Sequence, residues 1–268
     1  MAVVARALAP YVASVTAYDV DLGAPGVHRG LPGTTLTFVL PVGEPLDVGW
    51  QGRPGSRERR WSTVSGLHAQ PAEIHHDGTQ TGVQLALTTA GARALLGLPA
   101  SELAGELLEL ADVAPALRHL PEQLASCASE ERERRVQEVL LRRLAEIGAP
   151  GPRAEVGQAL ARLTRGDTVQ EVADDVGYSR RHLGNLVREE CGLTPRDVRR
   201  LGRFEQSRAQ IGRRPLSAVA HACGYADQAH LTRDWVELAG CPPTTWLREE
   251  FPFLQDHHGA DEPGWGHE

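Results

Sequence analysis

Two stretches in the last third of the chain repeat one order of apolar and polar positions. In the first, Val169, Val172, Ala173 and Val176 fall at i, i+3, i+4 and i+7; in the second, Leu216, Val219, Ala220 and Cys223 do the same. That spacing predicts a short amphipathic helix that buries one narrow face. Gly177-Tyr178 and Gly224-Tyr225 follow, about 47 positions apart, where glycine lets the chain turn through positive φ. A second helix then buries Leu183 and Val187 in one copy, Leu231 and Trp235 in the other. Start signals stand where these helices need them. Thr168-x-x-Glu171 is a capping box, Ser179 and Asp227 suit N-caps, and Pro215 suits a first helical position. Two short helices joined by a tight glycine turn form a helix-turn-helix, whose second helix can enter the DNA major groove.

The face opposite the buried pair carries Arg181, Gly184, Asn185 and Arg188 in the first copy. In the second it carries Ala229, Thr232, Arg233 and Val236, with Gln228 and His230 near the helix start. Arg can bridge guanine O6 and N7, and Asn or Gln can pair with adenine N6 and N7. Between the copies, Thr194 to Ile211 reads as a continuous helix started by Thr194-Pro195. About 17 residues at 1.5 Å each make a spacer of ~26 Å. With the helices' own widths, that sets the two second helices near ~34 Å apart, one DNA turn.

The rest of the chain follows different periods. TTLTFVLPV (34–42), PLDVGW (45–50), RWSTVSGLH (60–68) and TGVQLALT (81–88) read as short strands between Gly- and Pro-rich turns. Val83, Leu85 and Leu87 alternate with Gln84, Ala86 and Thr88 as on a half-buried strand. Strands at such spacing predict a small barrel or sandwich. TAGARALLG is a helix ended by Gly97, and ELAGELLELADV and APALRHLPEQLA are expected to continue helically. Val136, Val139, Leu140, Leu144 and Ile147 form a helical apolar stripe, expected to pack on its own domain. Glu130–Arg134, Glu131–Arg135 and Glu138–Arg142 are spaced as i,i+4 pairs. Two prolines and two glycines in Gly148–Pro152 mark a linker. The organisation is therefore α+β: residues 1–147 form a sensor or dimerisation domain, β over about 1–88 and helical over 89–147. A linker follows at 148–152, then an all-α domain at 153–251 and a disordered tail at 252–268.

The net charge of −7 argues at first against a nucleic-acid partner, but its placement reverses that reading. Ten arginines lie between Arg180 and Arg214, opposed there by Glu189, Glu190, Asp197 and Glu205. The chain has no lysine, so phosphate contacts fall to arginine and backbone N–H groups. Arg180, Arg188, Arg196, Arg200, Arg213 and Arg214 are the candidates. No apolar run approaches the ~18 residues of a membrane span, and the expected place is the cytoplasm. The four cysteines form no C-x-x-C pair, and Cys191 and Cys223 sit at apolar-type positions as buried thiols.

Residues 152–250 resemble the DNA-binding domain of the AraC/XylS family of bacterial transcription regulators. The likeness is carried by GYSRRHL…VREECGLTP, RRLGRFEQSRAQI and GYADQAHLTRDW…AGCPPTTWLR. It implies seven helices, the fourth being the spacer, and base contacts from Arg181, Gly184, Asn185, Gln228, Ala229, His230, Thr232 and Arg233. Gly184 departs from the long polar residue often found there and cannot donate to a base. Val187 and Trp235 stand where the family usually has Phe. LPGTTLTFVLPVG and GVQLALTTAGARALLGLPASELAG resemble the sensor region of a family subgroup. The resemblance implies duplex DNA as partner, with RNA polymerase, a small-molecule effector and a second copy of the chain as further partners. No cofactor, metal or catalytic residue is expected, and no enzyme activity.

Two other readings compete. His68, Glu73, His75 and His76 near a β run suggest a metal-binding, cupin-like enzyme or sensor fused to a helical module. Against it, adjacent His75 and His76 would point to opposite faces of a strand, and HHDG reads as an exposed turn. A DNA-repair methyl acceptor would need a zinc-held cysteine, and the N-terminal half offers Cys127 alone. Trp50, Trp61 and His68 could line a pocket, with core packing the expectation for both tryptophans.

Overall fold

A computed structural model describes residues 4–147 and 154–250. The expected linker at 148–152 and the tail at 252–268 lie outside the described residues. The N-terminal part holds two antiparallel sheets. One has the order β1 (Val12–Asp21), β8 (Thr79–Leu87), β3 (Leu36–Pro41), β6 (Thr63–Ser65), β9 (Leu107–Leu108). The other has the order β2 (Gly26–Gly30), β7 (Ala72–His76), β4 (Leu46–Trp50), β5 (Glu58–Arg60).

Register explains how the first sheet is covered. Val15, Leu85, Phe38 and Val64 are cross-strand partners in turn, as are Val12, Leu87 and Leu36. All of these are buried and share one core with the helices that follow. Alternation turns Val39 to the other face, where it joins Leu46, Val48, Trp50, Ala72, Ile74 and Leu107 in a smaller core. Val83, Leu85 and Leu87 are buried as the alternation predicts.

After β8 the chain forms a short helix, α1 (Thr89–Gly91), widened into a π-helical turn over Ala92–Leu96. It ends at Gly97 with φ 82°, at the predicted stop. The expected helix over 102–113 is broken. The chain runs through a 3-10 turn, the two-residue β9 and α2 (Leu110–Val113), because Gly105 turns it at φ 76°. The next expected helix resolves into a 3-10 turn at Pro115–Leu117 and α3 (Leu120–Ala125). Helix α4 (Ser129–Ile147) forms as expected and buries Val136 and Leu140 beside β1. Its surface charges pair differently from the i,i+4 expectation. Arg134 bridges Glu131 and Glu138, and Arg135 reaches Glu138 at i,i+3.

Seven helices follow: α5 (Ala154–Arg165), α6 (Val169–Asp175), α7 (Arg180–Cys191), α8 (Pro195–Arg208), α9 (Leu216–Ala222), α10 (Gln228–Ala239) and α11 (Pro243–Glu250). The main core does not stop at the N-terminal part. It continues through Val156, Ala159 and Leu163 of α5, Val172 of α6, Leu183, Leu186 and Val187 of α7, and Val198 of α8. A separate core gathers α8 to α11 around Trp235, Trp246 and Phe204.

Candidate nucleic-acid interface

The two copies are built alike. The Thr168 hydroxyl accepts from Glu171 N, and the Glu171 carboxylate accepts from Thr168 N at 2.8 Å, closing the predicted capping box. Backbone hydrogen bonds to that carboxylate hold its pKa below the usual range. Gly177 and Gly224 both turn at φ 73°. Ser179 caps α7 through His182 N at 3.2 Å, and Asp227 caps α10 through His230 N at 2.6 Å. In each copy the turn tyrosine meets the third helical residue edge-on: Tyr178 with His182 at 4.7 Å, Tyr225 with His230 at 5.2 Å. Both second helices end on a left-handed glycine, Gly192 at φ 75° and Gly240 at φ 72°. The spacer α8 has the predicted Thr194-Pro195 start, with a second capping box closed by Asp197. It is 14 residues long, so it spans about 21 Å rather than the ~26 Å expected.

The faces predicted to be free are largely so. Arg181, Asn185 and Arg188 are exposed on α7; Gln228, Ala229, Arg233 and Val236 are exposed on α10. Thr232 is half-buried. His230 is half-buried and its Nδ1 accepts a hydrogen bond from Ala226 N at 3.3 Å, which leaves Nε2 as the remaining donor. Gly184 is buried, not exposed. A side-chain carbon there would meet only Arg188 Nη1, at 3.7 Å, so the long arginine folds across the gap left by glycine.

Of the arginines considered for phosphates, Arg180, Arg188, Arg196, Arg213 and Arg214 are exposed. Arg214 also donates to Gln210 Oε1 at 2.9 Å. Arg200 departs from the expectation. Its Nε donates to Asp234 at 2.5 Å and its Nη2 to Glu237, so the guanidinium binds α8 to α10. Asp234 is buried and also accepts from Tyr225 Oη at 3.1 Å. Burial, then the Asp234 charge, pushes the Tyr225 phenol well above its ordinary range. Arg203 lies over the Tyr225 ring at 4.9 Å. Sequence periodicity missed this network, because a buried Asp on a predicted apolar stripe has no local signal of its partner. Trp235 is fully buried, as expected, and its Nε1 donates to Ser207 Oγ at 2.9 Å. Cys191 and Cys223 are buried free thiols, and burial raises Cys191 to about 11.

In the N-terminal part, Trp50 and His68 are buried and meet edge-on at 4.7 Å. Trp61 is 55% exposed, against the expectation of core packing, because it sits on the short link between β5 and β6. Burial lowers His68 to about 4, partly offset by its hydrogen bond to Gln70 O. Burial and the nearby His76 lower His28 to about 4 as well. Among the described residues, His68, Glu73, His75 and His76 are not gathered into a metal-ligand set. A cleft of about 680 Å³ opens among Tyr18, Glu44, Asp47, Arg59, His75 and Gln80. A more apolar cavity of about 540 Å³ lies between the β part and the helices, lined by Thr34, Thr88, Leu160, Arg165, Val198 and Leu201. No described helix is long and apolar enough to cross a membrane.

Residues 172–249 match a family model described as a helix-turn-helix domain. No curated protein matches the chain. Among solved structures, the chain is similar in fold to ToxT from Vibrio cholerae. In the form described as bound to unsaturated fatty acid, the TM-score is 0.52 at 11% identity, covering 92% of this chain and 98% of that one. An apo ToxT variant gives 0.53 at 12% identity, covering 88% and 97%. The N-terminal sheets followed by seven helices are therefore an arrangement shared along nearly the whole chain. Residues 172–249 thus carry a helix-turn-helix domain, set in a fold that the chain shares with ToxT.

Proposed function

We propose that the protein reads two successive major-groove segments of one duplex, with α7 in one and α10 in the other. The observation that supports this is the matched exposure of the two faces. Arg181, Asn185 and Arg188 stand free on one helix, and Gln228, Ala229 and Arg233 on its counterpart, with equal caps and equal glycine turns. His230 Nε2 and the Thr232 hydroxyl add base contacts near the start and middle of α10. Gly184, buried beside the Arg188 guanidinium, presents no side chain to a base. Arg180, Arg188, Arg196, Arg213 and Arg214 take the phosphates, assisted by the helix N-termini.

The N-terminal part serves as the sensor or dimerisation unit. The 540 Å³ cavity borders α5 and α8 on one side and the β part on the other, so an effector seated there touches both. ToxT has been solved with unsaturated fatty acid bound. An amphipathic carboxylate of that kind suits a mostly apolar cavity that holds Arg165. RNA polymerase and a second copy of the chain are the macromolecular partners this role calls for.

The test is an electrophoretic shift with the full chain on duplexes selected from random DNA. Arg233→Ala should cost about 1–3 kcal/mol and relax preference at one base step. Arg196→Ala should weaken all sequences alike and reduce the salt slope by about 1. Equal losses for Arg233→Ala on selected and random DNA would refute the base-reading role.

A further inference from the structure

The two recognition helices are held in place by different parts of the molecule. Helix α10 is fixed from within its own domain: Asp234 is tied to Arg200 of α8, and its buried face joins the core of α8 to α11. At the corresponding place in α7 stands Leu186, and the buried charge has moved to Glu190, opposite Leu238. Glu190 is 4% exposed, and its carboxylate accepts Arg93 Nε at 2.8 and 3.0 Å. Arg93 belongs to the π-helical turn after β8, in the N-terminal part. Ser101 Oγ donates to Glu189 O at 2.7 Å. A side-chain carbon on Gly192, the cap of α7, would lie 2.4 Å from Ala104 Cβ. The apolar face of α7 shares one core with Leu95, Leu96, Ala100 and Leu103.

The second motif also touches the N-terminal part, through α8, α11 and the cap of α10: Thr34 N and Oγ1 donate to Glu205 of α8 at 2.9 and 2.7 Å, and Leu31 and Ala69 pack against the core of α8 to α11. Gln51 lays a flexible side chain beside Gly240, and Arg29 meets Glu249 in an ion pair whose acid is 42% exposed. The π-turn, in contrast, is braced from behind. Arg143 of α4 donates to Leu95 O at 3.3 Å, and Glu133 of α4 accepts from Ala17 N on β1 at 2.9 Å.

We propose that Arg93 and Ser101 are positioning residues for DNA reading, through which the N-terminal part sets the orientation of α7 and not of α10. The coupling rests on the reading that both helices enter the groove. One half of the bound sequence is then under the control of the N-terminal part, and the other is read by an internally fixed helix. Releasing the end of α7 costs the preorganisation of its half-site and leaves the other half-site unchanged.

The test uses the full chain and duplexes enriched from random DNA by the wild-type protein. Asn185→Ala and Arg233→Ala assign each half-site to its helix. Affinity is then measured on duplexes with one half scrambled, for Ser101→Ala and for the paired change Arg93→Ala with Glu190→Gln. The paired change avoids stranding a buried carboxylate, and Ser101→Ala serves if the pair fails to fold. The expected result is about tenfold weaker binding to duplexes that keep the α7 half. Affinity for duplexes that keep the α10 half should stay within about twofold. Gln51→Ala should change neither. Equal losses on both halves, or no loss on either, would overturn the inference. Failure of the wild-type protein to enrich any sequence would instead refute the groove-reading role on which it rests.

Discussion

Arg200 offers the sharpest separation between a structural charge and a DNA-binding one. Its side chain is 21% exposed, and its main partner Asp234 is 8% exposed. Glu237, its second partner, is 68% exposed and adds little in water. Removing one member of a buried pair costs about 3–5 kcal/mol, because the other charge stays buried without compensation. Discounting for the partial exposure of Arg200 gives about 2–3 kcal/mol for Arg200→Ala. Asp234→Ala should cost a similar amount, since it strands both the guanidinium and the Tyr225 hydroxyl. The first copy indicates how the pair can be replaced, because Leu186 fills the place that corresponds to Asp234. Arg200→Met with Asp234→Leu should therefore lie within about 1 kcal/mol of wild type once Tyr225 is also changed to Phe. Urea unfolding of the single and combined variants measures these differences. The reasoning is refuted if Arg200→Ala leaves the unfolding midpoint unchanged and instead lowers the salt slope of DNA binding by about 1, as a phosphate contact would.

Two further outcomes follow from burial. Gly184→Ala should stabilise the protein by about 0.5–1 kcal/mol, because the helix backbone accepts alanine and the new methyl meets only the end of Arg188; a lower melting temperature would contradict this. His28 and His68 are both lowered to about 4 from an ordinary 6.5, so the unfolded chain takes up protons that the folded chain refuses. Their contribution is complete above about pH 6.5 and is lost as pH falls toward 4, by at most about 3 kcal/mol each. Thermal unfolding between pH 7 and 4 should show the decline, and His28→Gln with His68→Gln should flatten it; an unchanged slope would count against burial as the cause.

The helix-turn-helix copies were legible because their signals are local. Apolar spacing, capping boxes and left-handed glycines act within one or two turns, and the elements form close to where they place them, although Pro215 is the N-cap of α9 rather than its first residue and α8 ends at Arg208, short of Ile211. The strands were less legible. β1 carries a register shift between Val12 and Ser14, which breaks the period-2 pattern that would have revealed it. β2 is five residues long, and β7 ends in the His75-His76 pair, which reads equally well as a turn. Leu103, Leu107 and Leu110 fall at near-helical spacing, yet Gly105 divides them among three elements. Contacts between distant segments left no sequence signal at all. Arg200 looks like any exposed arginine until Asp234 is placed beside it, and the core shared by the sheets with α5 to α7 crosses the boundary that the linker composition suggests.

The measurement closest to the central claim is hydroxyl-radical footprinting of the full chain on a duplex enriched from random DNA. Protection should fall in two patches on one side of the helix, with centres about 10 base pairs apart. Asn185→Ala should weaken one patch and Arg233→Ala the other. A single patch, or two patches that both respond to one substitution, would contradict the account.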